Sequence, residues 1–389
     1  VSKAKRVVVA PDKFRGSLSA LEAGLFIAQG IHDVLPDCWV DVCPIADGGE
    51  GTIDAVAACG FGVREVEVVD LAAGSRIRGR FAFRGQTAVI ELAEFAGLGL
   101  IQPSVTSSRD ATSFALGQAI SLALDDGYSE IVLGLGGSAS TDGGAGMMHA
   151  LGLVFLDATG RRLVPGIDDL SSTVTLDTDS LDSRLANTTF VVASDVENVL
   201  LGPSGAARVF GPQKGADAMT VLVLEERLRR YSDAVRTHIG RDYSDVPGSG
   251  AAGGVAFSAV AFLGARLQSG VDLILELSRF AARAADSDLI ITGEGSLDEQ
   301  TLSGKAPMGV VRNARQLGIP VVAVAGRCSL TPQQIDHAGF DGVYSLQDVE
   351  PDPSQSMRNA KEHIRVIGRH IASARLEPTS AQTHSHHIS

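Results

Sequence analysis

Cysteine is scarce: Cys38, Cys43, Cys59 and Cys328 are the four in 389 residues, and no pair has CxxC spacing. A chain of this length needs no disulfide scaffold, so the pattern points to a reducing, cytoplasmic setting. Long apolar runs are missing too. After the basic stretch through Arg6, only Val7 to Ala10 is apolar before Pro11 and Asp12, which is too short for a secretory segment or a membrane span. Positive charge is in deficit, with 33 Lys and Arg against 46 Asp and Glu and a formal net charge of −13. That field repels nucleic acid and anionic membranes, so neither is an expected partner, while a small anionic substrate needs only a few positioned donors. The isolated histidines lack metal-ligand spacing, and His149 between Met148 and Ala150 reads as a core or boundary histidine. Neither GxGxxG after the first strand nor GxxxxGK[ST] occurs, so simple hydride-transfer and P-loop readings lose their support.

What is present is an ordinary globular balance, 44% hydrophobic and 20% charged, with length for roughly two or three domains. Glycine is abundant at 44 residues and gathers in turns beside acids, where a missing Cβ permits unusual dihedrals and close ligand approach. The order of elements is informative. Arg6 to Ala10 reads as a buried strand, Ser19 to about Leu35 as a helix, Trp39 to Cys43 as a second strand, and Ile53 to Ala58 as apolar helix. This alternation favours a parallel α/β sheet with functional loops beyond the carboxyl ends of its strands. From 63 to 92 shorter strands suggest a mixed or antiparallel insertion, followed by a helix from Ser113 to Leu124 and a strand from Glu130 to Leu135. Residues 160 to 187 read as loops and short elements, Glu225 to Arg230 as a solvated helix face, Asp288 to Thr292 as a strand, and Gln300 to Leu317 as one helix. The polar segment 376–389 reads as a flexible tail in which His384, His386 and His387 are expected to be adventitious rather than functional.

Six loops carry candidate chemistry, each with a plain structural alternative. Asp12, Lys13 and Arg15 precede Gly16 and suit an anion; the same turn also reads as a charged helix start capped by Ser17 or Ser19. Asp47-Gly-Gly-Glu-Gly-Thr52 places Asp47 as a base or magnesium ligand and Glu50 as an orienting group, or both as helix-start acids. In Gly134 to Gly146, Gly136, Gly137, Ser138 and Ser140 suit phosphate, and Asp142 suits magnesium or helix capping. Asp195, with Asn198 just beyond, stands at a strand exit as a base, a magnesium ligand or a turn cap. Lys214 within Gly211-Pro-Gln-Lys-Gly215 suits a substrate carboxylate or phosphate. Glu294 in the expected exit loop and Asp298 in the expected first helical turn can face one cleft, with Lys305 balancing phosphate charge; acids at a helix N-terminus are the alternative.

In order, Ala10-Pro-Asp-Lys-Phe-Arg-Gly-Ser-Leu18, Asp47 to Thr52, Gly134 to Gly146, Ala193 to Asn198, Val209-Phe-Gly-Pro-Gln-Lys-Gly215, Gly248 to Gly254 and Gly293 to Asp298 resemble the bacterial glycerate kinase family, particularly its glycerate 2-kinases. The resemblance runs through almost all of residues 6 to 370. It implies ATP-dependent, magnesium-dependent phosphorylation of D-glycerate to 2-phosphoglycerate. It also implies a Rossmann-like parallel-sheet domain assembled from both chain ends (1–62 and 284–375) and an inserted mixed α/β domain (63–283). Arg15 stands where the family commonly has lysine, and Val199 where it usually has proline.

On that basis Asp195 is the leading base with Asp47 behind it, and Lys214 shares the catalytic role. Lys13, Arg15, Glu50 and Asn198 are expected at the substrate, Gly136, Gly137, Ser138, Ser140 and Lys305 at the nucleotide, and Asp142, Glu294 and Asp298 at magnesium. Phosphorylation of the 3-hydroxyl or of another small hydroxyacid, and a nonenzymatic metabolite sensor, stay open. A monomer and a homodimer are both compatible with the sequence.

Overall fold

The structure, a computed structural model, describes residues 4–71, 74–168, 170–172 and 175–377. His384, His386 and His387 lie outside the described residues. The chain forms two compact units, one from Val1–Pro44 with Arg279–Ser389 and the other from Ile45–Ser278. It begins with β1 (Arg6–Pro11) and β2 (Trp39–Val42). The second unit carries β3 (Gly62–Val69), β4 (Arg76–Arg84), β5 (Thr87–Glu91), β6 (Glu130–Gly134), β7 (Val154–Leu156), β8 (Arg162–Leu163), β9 (Thr175–Asp177), β10 (Thr189–Ala193) and β11 (Arg266–Gln268). The chain then returns to the first unit with β12 (Leu289–Leu297), β13 (Val321–Cys328) and β14 (Gly342–Ser345).

In the first unit the strands lie in the order β14-β13-β12-β1-β2, all parallel. Both chain ends therefore build one sheet, the Rossmann-like arrangement expected. The apolar run Val7 to Ala10 is fully buried because helices cover both faces of a parallel sheet. The helix Ala20–Val34 starts at a capping box in which Ser19 and Glu22 exchange hydrogen bonds, and its Ile27 and Ile31 pack with Ile364 and Ile367 of Ala360–Ile371. Successive connections leave β1 and β12 toward opposite sides of the sheet, so the loops after these two strands flank its switch point, where such sheets bind ligands.

The second unit has a mixed sheet in the order β11-β10-β6-β5-β4-β3. The strands β3, β4 and β5 are antiparallel neighbours, while β5, β6, β10 and β11 run parallel. β3 alternates exposed and buried residues toward its end, as a strand with one wet face does, and β6 is almost continuously buried. Phe81, Leu133, Phe155, Phe190, Leu228, Tyr231 and Phe257 belong to its core. A separate three-stranded sheet, β8-β7-β9, draws two of its strands, β8 and β9, from the segment read as loops and short elements.

Four boundaries differ from the sequence reading. The division at Pro44 and Ile45 puts the Asp47 loop in the second unit, since the helix Thr52–Ala58 packs against β4 and β5; Arg279 begins the return because the helix Phe280–Ala284 packs on β1. Strand β12 runs on through Gly293-Glu-Gly-Ser-Leu297, because Glu294 pairs with Ala325 and Leu297 with Cys328 of β13. Glu294 is thus a strand residue rather than an exit-loop residue. The single helix expected from Gln300 to Leu317 is two, Glu299–Leu302 and Ala306–Leu317, separated at Gly304 with φ of 115° and restarted with Pro307 in the first turn.

Candidate active site

In the second unit β6 and β10 end in register, Gly134 beside Ala193, so the loops that follow leave the sheet side by side. Asp47, Gly136, Gly137, Ser138, Asp195 and Lys214 line one cavity there, closed by Ala251, Ala252 and Gly253, with a volume of about 200 Å³. That is below the roughly 300–1,000 Å³ of pockets that enclose drug-sized ligands, and it suits a small acid better than a whole nucleotide.

The walls are held by backbone contacts that demand small residues. Gly136 donates its N–H to Gly48 O at 3.2 Å, and a Cβ on Gly136 would stand 2.4 Å from Gly49 Cα. On the opposite wall Ala252, Gly253 and Gly254 all have positive φ, and a Cβ on Gly253 would sit 2.1 Å from Ser140 O. Ala252 at φ 55° is a left-handed alanine, a conformation unfavourable by about 1–2 kcal/mol and retained where the surroundings impose it.

Asp47 Oδ1 accepts the Gly49 N–H at 3.0 Å. The loop is anchored by Glu91 at the end of β5, a residue the motif reading missed. Its two oxygens accept the N–H groups of Gly51 and Ile53, each at 3.1 Å, and only 2% of the residue is exposed. The available signal was an acid closing the apolar run Ala88 to Ile90.

Asp195 stands two residues past β10, and its Oδ1 accepts the Gly270 N–H at 3.0 Å, at the start of the helix Gly270–Leu277. Burial around the carboxylate pushes its pKa up; bonding to Ser269 and to the helix amides opposes this, and the charge of Asp47 adds to it. Lys214 is 2% exposed. Its Nζ donates to Ser138 Oγ at 3.1 Å and to the carbonyl of Ser140. Burial pushes its pKa down to about 7, with Asp142 opposing the shift.

The other expected residues of this unit lie elsewhere. Ser140 is fully buried behind the cavity wall, and its hydroxyl has no hydrogen-bond partner among the described residues. Asn198 is tied to a neighbouring turn, its Nδ2 donating to Ser204 O and its carbonyl accepting from Gly250. Glu50 is exposed. Asp142, expected at magnesium, has its carboxylate committed: Oδ1 accepts from Gly144, and Oδ2 from Thr112, from Gly146 and from both the backbone and hydroxyl of Ser113. It fastens the start of Ala145–Ala150 to the start of Phe114–Asp125.

The first unit gathers a second group at its switch point. Asp12 follows β1, where its N–H reaches Gly293 O and its Oδ1 accepts from Lys13 N. Lys13 is half-buried and Arg15 exposed. Glu294 on β12 is 7% exposed and accepts from Thr301 Oγ1, another residue the motif reading missed. Burial pushes the Glu294 pKa up, against Thr301 and Lys305. Lys305 Nζ lies 3.7 Å from Glu294 Oε2 and 3.8 Å from Asp298 Oδ1, so these three expected residues do come together. Asp298 caps the helix Glu299–Leu302.

Fold and sites together define a two-unit α/β protein in which acidic side chains at strand ends gather with Lys214 in one unit and with Lys305 in the other. The model of the glycerate kinase family matches residues 7–376, and the chain belongs to that family. A glycerate kinase of Bacillus subtilis strain 168 is 38% identical over 371 residues, 95% of this chain and 97% of the relative. A glycerate 2-kinase of Escherichia coli K12 is 36% identical over 369 residues, covering 94% and 97%. A crystal structure of a protein from Salmonella typhimurium LT2 matches with a TM-score of 0.83 and 37% identity, covering 95% of this chain and 98% of that one. Among the described residues no helix is long and apolar enough to cross a membrane, and the four cysteines are free.

Proposed function

We propose that this protein transfers the γ-phosphoryl group of ATP to the 2-hydroxyl of D-glycerate, forming 2-phosphoglycerate and ADP with Mg²⁺ on the nucleotide. The observation that carries the reading is the small cavity in which Asp195, a desolvated carboxylate, shares its walls with Asp47 and with the buried Lys214. The relative named a glycerate 2-kinase supports the 2-hydroxyl over the 3-hydroxyl.

Asp195 is the base in this reading. One oxygen is tied to Gly270, which orients the carboxylate, and desolvation raises its proton affinity toward the range a general base needs. It takes the proton of O2 as the bond from O2 to phosphorus forms and the bond from phosphorus to the leaving ADP oxygen breaks. Gly136, Gly137 and Ser138 wall the cavity beside it without side-chain bulk, and positioning supplies most of the acceleration in such reactions.

Mg²⁺ supplies charge neutralisation on the phosphates. It is bound in such sites by one or two carboxylates and the phosphates rather than by a protein cage, which fits the absence of any three-ligand acidic or histidine group among the described residues. Glu294 and Asp298 suit that role, with Lys13 and Lys305 for phosphate; Asp142, its oxygens already committed, serves as a structural anchor. Phosphorus NMR of ATP, Mg²⁺ and D-glycerate with the full chain tests the proposal. A 2-phosphoglycerate resonance is expected. 3-Phosphoglycerate would overturn the regiochemistry, and no glycerate-dependent ADP the activity.

A further inference from the structure

Lys214 is a buried lysine that forms no ion pair among the described residues. Its Nζ meets two acceptors, Ser138 Oγ and Ser140 O, both neutral. A neutral amine has two N–H groups and an ammonium has three. The two acceptors therefore match the uncharged form, and protonation creates a third donor, for which Lys214 Nζ makes no third hydrogen bond among the described residues. The ionisable groups nearby complete the picture. Asp142, from the loop after β6, is occupied by its own five hydrogen bonds. Arg208, on the preceding helix Ala206–Phe210, lies 3.9 Å from Glu225. Asp47 and Asp195 are the other charged residues lining the same cavity.

We infer that Lys214 seats the carboxylate of the hydroxyacid and that the protein takes up a proton at this lysine when the acid binds. The charge balance selects the ligand class. A free phosphate dianion would set two negative charges against Asp47 and Asp195, whereas a monocarboxylate sets one and supplies the missing acceptor. Its hydroxyl is then left for the acidic side of the cavity. This inference rests on the proposed hydroxyacid activity.

Burial pushes the pKa of the free lysine down to about 7, so its amine loses the proton across the neutral range. Pairing with a carboxylate holds it protonated, so uptake is expected to rise from pH 6 to pH 8 toward one proton. Glycerate remains a monoanion throughout this range. The test is isothermal titration of the full chain with D-glycerate at these three pH values, in buffers of different ionisation enthalpy, with and without Mg²⁺ and a nonhydrolysable ATP analogue. The affinity is expected to fall about tenfold per pH unit well above pH 7. Lys214→Met is expected to lose the uptake together with at least tenfold in affinity. Glycerate binding with no proton uptake at pH 7 and 8 overturns the inference and leaves the kinase reading standing. Uptake that survives in folded Lys214→Met places the proton elsewhere and overturns it too. No glycerate binding under either condition overturns both.

Discussion

Glu91 holds Gly51: the carboxylate at the end of β5 accepts the Gly51 N–H at 3.1 Å, and its second oxygen takes the Ile53 N–H. Two bonds from one buried side chain fix the turn that follows Asp47. Replacing Glu91 by Gln leaves one oxygen and turns an amide N–H₂ against a backbone donor. Glu91→Gln is expected to lower stability by about 2–3 kcal/mol in urea unfolding. It is also expected to depress kcat of the folded fraction, because Asp47 loses its anchored loop.

Asp195→Asn keeps the shape and the acceptor for Gly270 while removing the basic oxygen. Glycerate-dependent kcat is expected to fall by about 10²–10⁴-fold. Nucleotide affinity, measured by titration, is expected to stay within about threefold. Turnover at the wild-type rate in the folded variant would remove Asp195 from the base role.

Gly253→Ala adds a Cβ 2.1 Å from Ser140 O at a residue with φ of 67°. Steric overlap and backbone strain act in the same direction, so a loss of more than about 2 kcal/mol is expected. Gly202→Ala, also at positive φ but with nothing within 4 Å of the new Cβ, isolates the strain alone and is expected to lose about 1 kcal/mol. Equal midpoints for the two variants in urea would show that the Ser140 approach is not tight.

Lys214 makes stability depend on pH in a definite direction. Its folded pKa of about 7 lies below its ordinary 10.5, so the folded state binds fewer protons than the unfolded chain between those values. Stability from this group therefore rises with pH through that window, by up to about 1.4 kcal/mol per unit, and its penalty is fully present below pH 7. Lys214→Met is expected to raise Tm relative to wild type most at pH 6 and least near pH 10. A Tm difference independent of pH would show that Lys214 is not desolvated in the fold.

The strand at Arg6 to Ala10, the helix Ala20–Val34 and strands β3 to β6 were legible because their signals are local: apolar runs, short strand patterns and a serine cap all act within a few residues. Glu294 was misplaced for the converse reason. Gly-Glu-Gly reads as a loop by composition, yet pairing with β13 continues the strand through it, and such pairing depends on residues about thirty positions away. Asp142 shows the same limit in chemistry. Its neighbours in sequence suggest a ligand loop, while Thr112 and Ser113, which occupy one of its oxygens, come from another segment.

The sequence by itself determined the α/β class, the use of both chain ends in one parallel sheet, and the order of glycine and acid motifs that identifies the family. The class is written in periodicity and motif order, and the use of both chain ends follows from what the family resemblance implies. Tertiary structure decided which motif residues share a cavity: Asp47, Gly136, Asp195 and Lys214 do, while Asn198 and Asp142 are spent on holding loops. It also decided the proton affinity of Lys214. Desolvation, and a neighbouring carboxylate, Asp142, whose oxygens are already bonded elsewhere, are properties of what surrounds a side chain in space, and spacing along the chain does not encode them.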